Sequence, residues 1–149
     1  MKASLGFLLA FILGVQCGRS FVPTTGPEAD CLKEQNLKLS DVEPEIHIVS
    51  DVNNEVVGRF FVCVWKKREI FKTNGEISGE GIYRRFAEIF KNVHLSESIQ
   101  LEMKDAFNEC TKLRDNTDWI LANKVKNCIF HAVQSRPHLP RPQPENEAL

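Results

Sequence analysis

Apolar residues recur through the middle of the chain with the spacing of amphipathic helices. The clearest stripe has an apolar residue at every fourth position: Val52, Val56, Phe60 and Val64. Val57 and Phe61 widen this stripe. The cations at 66–68 follow this stripe and suit the last turns of a helix. Because this period extends over a long window, it predicts a third helix here rather than a strand.

Similar patterns predict five further helices. Ser40 and Glu43 have the spacing of a capping box, with Ser40 as N-cap. Thr73-Asn74-Gly75 predicts a turn, and the residues at 115–117 offer N-caps. The predicted helices cover residues 28–37, 40–49, 81–92, 98–113 and 118–135, in addition to the third. The expected fold is an all-α, compact single domain of about six helices over residues 21–135.

The two ends of the chain have a different composition from the middle. Lys2, an apolar run over 5–15 and the small residues Cys17, Gly18 and Ser20 have the order of a secretory signal peptide, which we predict over residues 1–20. The alternative is an uncleaved anchor, although the run is shorter than the roughly 20 residues that span a bilayer. Residues 136–149 contain four prolines and predict an extended, solvated tail, with folding back over the body as the alternative.

Charge and composition exclude several classes of function. The predicted signal could be cleaved after Cys17, Gly18 or Ser20. Cleavage after Ser20 leaves 17 of the 19 Lys and Arg and all 20 Asp and Glu, a net charge of 17 − 20 = −3. We therefore expect no nucleic-acid partner and no membrane insertion. No two of the four histidines have H-x-x-x-H spacing, and nucleophile and phosphate-loop motifs are missing from the sequence, so we predict no metal, no cofactor and no enzymatic activity.

The cysteines point to a secreted, disulfide-bonded protein. Cys17 leaves with the predicted signal peptide, so that four of the five cysteines remain: Cys31, Cys63, Cys110 and Cys128. An even number in a small secreted chain indicates two disulfides. The count itself leaves three pairings open.

The cysteine spacing resembles that of insect odorant-binding proteins of the pheromone-binding and general-odorant-binding type. Those proteins have six cysteines, with three residues between the second and third and eight between the fifth and sixth. Here the four cysteines match the first, third, fourth and sixth, while Arg59 and Trp119 stand at the second and fifth. Because both missing cysteines belong to one bridge, the chain resembles the four-cysteine (minus-C) branch of the family over about residues 28–134.

The resemblance implies a disulfide pairing and a replacement for the lost bridge. The family pairs the equivalents of Cys31 with Cys63 and of Cys110 with Cys128, and it places position 59 near position 119. We hypothesise that Arg59 stacks on the Trp119 ring, with Asp118 as an ion-pair partner. The alternative is that Trp119 packs in the core and Arg59 points into solvent.

The resemblance also implies a secreted, extracellular carrier that binds small hydrophobic ligands, such as odorants or pheromones, in an internal apolar cavity. Its predicted lining is the apolar helix faces, namely Phe60, Phe61, Val64, Ile82, Phe86, Ile89, Phe90, Phe107, Trp119 and Phe130. The case for a cavity comes from the resemblance, because the pattern of these residues does not distinguish a cavity lining from an ordinary packed core, which it favours for each residue taken alone.

Two other functions remain open from the sequence. One is a secreted helical signalling or interaction protein, and the other is a salivary or venom relative that binds amines through a carboxylate in its pocket. A receptor is a candidate partner of the carrier, and we expect a monomer or weak dimer.

Overall fold

Six helices follow one another in the computed structural model, which describes residues 26–139. They are α1 (Pro27–Glu34), α2 (Leu39–Ile46), α3 (Glu55–Lys67), α4 (Gly79–Ile89), α5 (Glu97–Cys110) and α6 (Asp118–Gln134). The predicted all-α fold is confirmed: over this range, extended backbone pairs in a single antiparallel bridge, between Phe71 and Ile77 on either side of the predicted turn. The predicted signal peptide and residues 140–149 lie outside the described range.

Three of the helices begin at a side chain that accepts a backbone hydrogen bond from the first turn. The N-caps are Asn54 for α3, Ser78 for α4 and Ser96 for α5, each accepting from the residue three positions later. Helix α6 begins after Thr117, whose N–H donates to Asp115 Oδ1 at 2.8 Å. These short polar residues therefore fix where the helices start.

The predicted capping box of α2 is wrong. The helix begins one residue before Ser40, with Lys38 as N-cap, and Asp41 Oδ2 accepts from the Lys38 N–H at 2.7 Å. An acid at the third helical position satisfies that exposed amide and lies near the positive end of the helix dipole. The earlier start leaves Pro44 inside the helix, where it removes a backbone donor shortly before α2 ends.

The buried face of α3 includes four residues of the predicted stripe, Val57, Phe60, Phe61 and Val64, but not the other two. Val52 precedes the helix and Val56 is 47% exposed. The residues that α3 buries are Val57, Phe60, Phe61, Val64 and Trp65, together with Gly58. A strict four-residue period drifts around a helix of 3.6 residues per turn, whereas these positions alternate steps of three and four and stay on one face.

Two disulfides join the helices in the pairing that the resemblance implied. Cys31–Cys63 links α1 to α3, and Cys110–Cys128 links α5 to α6. Helices α3 and α6 form the most extensive helix pair of the fold, yet neither bridge connects them. Their association therefore depends on packing and hydrogen bonds.

The chain returns onto the helices after α6. Leu139 is 7% exposed and belongs to the core, and Arg136 Nε donates to Glu102 Oε1 on α5 at 2.7 Å. The expected solvation therefore holds for Pro137 and His138, which are exposed, but not for Leu139, and Arg136 is half-buried. Within the described part, no helix is long and apolar enough to cross a membrane.

Candidate functional site

The centre of the helices is filled by aromatic and aliphatic side chains. Seven of the ten predicted lining residues belong to one buried cluster, each with 9% or less of its surface exposed: Phe60, Phe61, Val64, Ile82, Phe86, Phe90 and Phe107. The Phe86 ring lies 4.4 Å from that of Phe90 and 5.4 Å from that of Phe107, measured between centroids. These ring contacts join α4 to α5, and the phenylalanines of α3 belong to the same buried cluster, which can offer apolar contact to a small molecule.

The other three predicted residues are elsewhere. Ile89 is 38% exposed, so the prediction that it faces the interior is wrong; Phe90, the C-cap of α4, is buried instead. Trp119 and Phe130 are half-buried and lie outside the central cluster. Trp119 lines a surface groove, and the Phe130 ring lies 6.3 Å from the ring of His131.

Sequence reasoning missed several residues of the central cluster. Met103 and Val125 are fully buried there, and Ile70 is 1% exposed. A signal for Met103 was available, because Met103, Phe107 and Cys110 have the spacing of one helix face. Ile70 lies in a loop, where no periodic pattern marks it.

An open groove of about 690 Å³ lies over α3 beside the start of α6. Val56, Val62 and Trp119 form apolar parts of its wall, and Arg59 and Lys66 carry the charges from α3. Lys66 Nζ lies 3.7 Å from Asp118 Oδ2, across the groove. This groove is separate from the central cluster and is open to solvent.

The predicted stack of Arg59 on Trp119 is wrong. The Arg59 guanidinium turns along its own helix, where Nε donates to Glu55 Oε1 at 2.7 Å, and Asp118 pairs with Lys66. Within residues 26–139, the cation that lies over an aromatic ring is Lys104, 4.8 Å from the centre of Tyr83. The i,i+4 ion pair with Glu55 lies within the reach of the side chain and leaves the guanidinium solvated.

Close backbone approach takes the place of the stack between α3 and α6. A Cβ atom added to Gly58 would lie 2.5 Å from the Trp119 carbonyl oxygen and 3.0 Å from Asn123 Nδ2. Both distances are shorter than van der Waals contact allows. Glycine at position 58 therefore lets the two helices meet beside Arg59 and Trp119, the positions where the six-cysteine proteins that the chain resembles have a disulfide.

A polar edge of α6 holds the chain that connects α2 to α3. Lys126 is 5% exposed, and its ammonium donates to Glu45 O at 2.7 Å, to Ile48 O and to Ser50 Oγ. Asn127 Oδ1 accepts from the Ser50 N–H at 3.0 Å, and its Nδ2 donates to the Ser50 carbonyl at 2.9 Å. Burial lowers the pKa of Lys126 to about 8, against the opposing influence of Glu45.

Asn123 completes this edge one turn earlier. Its side chain is fully buried, and Nδ2 donates to Val52 O at 3.1 Å and to Asn54 O at 2.9 Å. Its Oδ1 is buried and accepts no hydrogen bond from any group within residues 26–139. The edge defined by Asn123, Lys126 and Asn127 thus anchors residues 45–54 to α6.

The arrangement offers little for acid–base or metal chemistry. The buried charged side chains of the described range are Glu28, which pairs with Arg68 and Arg85, and Lys126. A carboxylate oxygen of Glu34 lies within 4.8 Å of the sulfurs of Cys31 and Cys63. Because those two sulfurs form a disulfide, this group is not a metal site.

Comparison with protein-family models matches residues 27–132 to the model described as the PBP/GOBP family. The match covers α1 to α5 in full, α6 up to residue 132, and both disulfides. Searches of curated proteins and of solved structures find no significant match.

Proposed function

The chain belongs to the PBP/GOBP family, the insect odorant- and pheromone-binding proteins, and we propose that it is a secreted carrier that binds a small hydrophobic ligand reversibly. Members of this family are carriers of small hydrophobic ligands rather than enzymes. The proposed cargo is an odorant, a pheromone or a similar lipophile. A receptor that takes up the loaded carrier, and a monomeric or weakly dimeric state, belong to the same proposal.

The observation that carries this proposal is the aromatic cluster between α3, α4 and α5. Phe60, Phe86, Phe90 and Phe107 are each at most 6% exposed, and they pack without a buried acid among them. A ligand buried against such rings gains about 0.8 kcal/mol per methylene before ordering costs. We place the ligand here, with Phe61, Val64 and Ile82 completing the wall.

Access to this interior follows from the distribution of the disulfides. One bridge fastens α1 to α3 and the other fastens α5 to α6, so the α3–α6 pair is free of covalent links. Separation of these two helices opens a path to the phenylalanine rings without breaking a bond. In this proposal, the loss of the third bridge makes the interior easier to load.

The amine-binding alternative receives less support. A buried amine requires a carboxylate facing it, and the buried carboxylate of the described range, Glu28, is already held by Arg68 and Arg85. The buried cation Lys126 adds repulsion on the α6 side. We therefore propose an uncharged ligand rather than a protonated amine.

Displacement of a fluorescent apolar probe, 1-aminoanthracene, tests the proposal. Long-chain alcohols and terpenes should displace the probe saturably, whereas protonated alkylamines of matched length should not. Phe107→Ala, which changes the proposed wall, should weaken displacement, and Val56→Asp in the open groove serves as the control that should preserve it. Failure of every apolar competitor would contradict the carrier function, and loss of binding in Val56→Asp alone would move the site to the groove.

A further inference from the structure

Asn123 holds the one buried side-chain polar atom in residues 26–139 that lacks a hydrogen-bond partner, its Oδ1. The side chain is fully buried, on the turn of α6 that also carries the core residues Ala122 and Val125. A buried acceptor without a donor costs more free energy than an ordinary hydrogen bond gains. Because the side chain is fully buried, a donor for this oxygen has to lie inside the fold.

The orientation of this amide is fixed by its other end. Nδ2 donates to two backbone carbonyls, those of Val52 and Asn54. Rotating the amide by half a turn would place Oδ1 against both carbonyl oxygens, and three acceptors would then face one another. The oxygen therefore remains the free end, and a flipped amide does not satisfy it.

The position of Asn123 connects this oxygen to the path into the interior. The amide lies at the α3–α6 contact, where a Cβ on Gly58 would be 3.0 Å from Nδ2. The next residues of α3 on its buried face, Phe60 and Phe61, belong to the proposed binding wall. A ligand that enters by separating α3 from α6 would therefore meet the amide at this contact.

We infer that the ligand of this protein carries a neutral hydroxyl group, which donates its hydrogen bond to Asn123 Oδ1 while its hydrocarbon part lies among the phenylalanines. This inference rests on the proposed carrier function and narrows it to long-chain or terpenoid alcohols. Esters, aldehydes and ketones only accept hydrogen bonds, as does an ionised fatty acid, so they leave the oxygen unpaired. A protonated amine donates but would enter beside the buried cation Lys126, one turn along α6.

A matched pair of ligands tests the inference on the unchanged protein. 1-Dodecanol and undecyl methyl ether have the same number of non-hydrogen atoms, but only the alcohol donates a hydrogen bond. The alcohol should displace the fluorescent probe with about tenfold higher affinity, the difference that one additional hydrogen bond to a buried acceptor provides. The amide signals of Asn123 in NMR spectra should shift with the alcohol and not with the ether.

Two variants on the same helix make the comparison specific. Asn123→Ala removes the acceptor and should abolish the preference for the alcohol. Asn127→Ala also loses two hydrogen bonds to the α2–α3 connection, but its oxygen is already satisfied by Ser50, so the preference should persist. If Asn123→Ala fails to fold, the comparison of alcohol with ether and the NMR shifts of the unchanged protein still test whether the ligand donates to Asn123.

The outcomes separate this inference from the carrier function. Tight, equal binding of alcohol and ether would overturn the hydroxyl inference, because it would show that the hydroxyl gains no hydrogen bond from Asn123 Oδ1 and that another donor, such as an internal water, satisfies this oxygen. The carrier function would still stand. No binding of either molecule would overturn both. A preference that survives in Asn123→Ala would assign the donor's partner to another residue and also overturn the inference.

Discussion

Glu28 and Arg68 form a two-pronged ion pair that fastens the first helix to the third. Arg68 Nε and Nη2 donate to the two Glu28 carboxylate oxygens at 2.8 and 2.7 Å, and both side chains are at most 13% exposed. Arg85 on α4 adds a contact of 3.2 Å to the same carboxylate. Burial by itself raises the pKa of Glu28, but the hydrogen bond from Arg68 and the charge of Arg85 outweigh it and hold that pKa below 4.5.

This pair should make the stability of the protein sensitive to acid. A carboxyl whose pKa is depressed in the folded state stabilises the fold above its unfolded pKa, and the effect is lost as the pH falls through the folded pKa. Glu28→Gln should reduce the free energy of unfolding by about 3 kcal/mol at pH 7, since it leaves a buried arginine short of its partner. The difference from the unchanged protein should shrink below pH 4.5.

Urea unfolding at pH 7 and at several acid pH values measures this effect. Glu34→Gln is the control, because Glu34 makes an equally short ion pair, 2.7 Å to Lys67, but with a side chain that is 57% exposed. Exposed pairs contribute at most about 1 kcal/mol, so this variant should unfold nearly as the unchanged protein does. Equal losses in both variants would show that burial of Glu28 does not matter.

The buried Lys126 should make the free energy of unfolding depend on pH in the alkaline range. Its pKa is lowered to about 8 in the fold, against 10.5 as the ordinary value. Between these values the unfolded chain holds a proton that the folded chain has lost, so the stability relative to Lys126→Met should rise with pH, at up to about 1.4 kcal/mol per unit. Denaturant melts from pH 7 to 10.5 test this.

Lys124 provides the control for that titration. It lies two residues earlier on α6 and pairs with Asp115 at 2.9 Å, with more than a third of its side chain exposed. Lys124→Met keeps Lys126 and should retain the rise in stability with pH. A rise that persists in Lys126→Met would assign it to a different group.

The sequence carried enough information for the helices and the disulfides but not for the way α6 holds the α2–α3 connection. The cysteine spacing, through the family, implied Cys31–Cys63 and Cys110–Cys128, and helical periodicity identified most of the buried phenylalanines. Asn123 and Lys126, in contrast, act on backbone carbonyls 69 to 81 residues away. No local pattern encodes such a partner, because any carbonyl that the fold brings near serves equally well.

The first residues of α3 and the start of α2 were missed for a different reason. Val56 and Val57 are chemically equivalent, so composition does not decide which one faces inward; the N-cap Asn54 sets where the helix begins. At α2, Ser40 and Asp41 both suit the beginning of a helix, and the choice depends on the hydrogen bond from Lys38. One-residue alternatives of this kind need tertiary contacts to separate them.

The close contact at Gly58 predicts an unusual sign for a glycine substitution. Replacing glycine by alanine inside a helix normally stabilises by about 0.5–1 kcal/mol. Here the added Cβ would meet the Trp119 carbonyl oxygen at 2.5 Å, a backbone atom that does not rotate away. Gly58→Ala should therefore lower the free energy of unfolding by about 1–3 kcal/mol, as overpacking does elsewhere.

Thermal unfolding of Gly58→Ala beside Gly79→Ala checks this prediction. At Gly79 the nearest atom to an added Cβ, at 2.4 Å, is Asn108 Oδ1, the end of a side chain that can turn aside. Gly79→Ala should accordingly change stability little. A stable Gly58→Ala protein would mean that α3 and α6 adjust their separation freely.

Restoring the missing disulfide should raise the stability of the ligand-free protein and reduce the further stabilisation that ligand provides. Arg59→Cys with Trp119→Cys would place cysteines at the positions where the six-cysteine relatives have them, on α3 and α6. In the chain-entropy model a loop of this size stabilises by about 4 kcal/mol. With α3 and α6 joined, the interior should open less, so saturating 1-dodecanol should raise the melting temperature by less than in the unchanged protein.

The matched control is Arg59→Ser with Trp119→Ser, which loses the same two side chains without forming a bond. Because it leaves α3 and α6 unlinked, it should keep the ligand-dependent rise in melting temperature of the unchanged protein. If the bridged protein responds to the alcohol as strongly as this serine variant, helix separation is not the route by which ligand enters. If both variants lose the response, Trp119 itself contacts the ligand, and the groove beside it becomes part of the binding site.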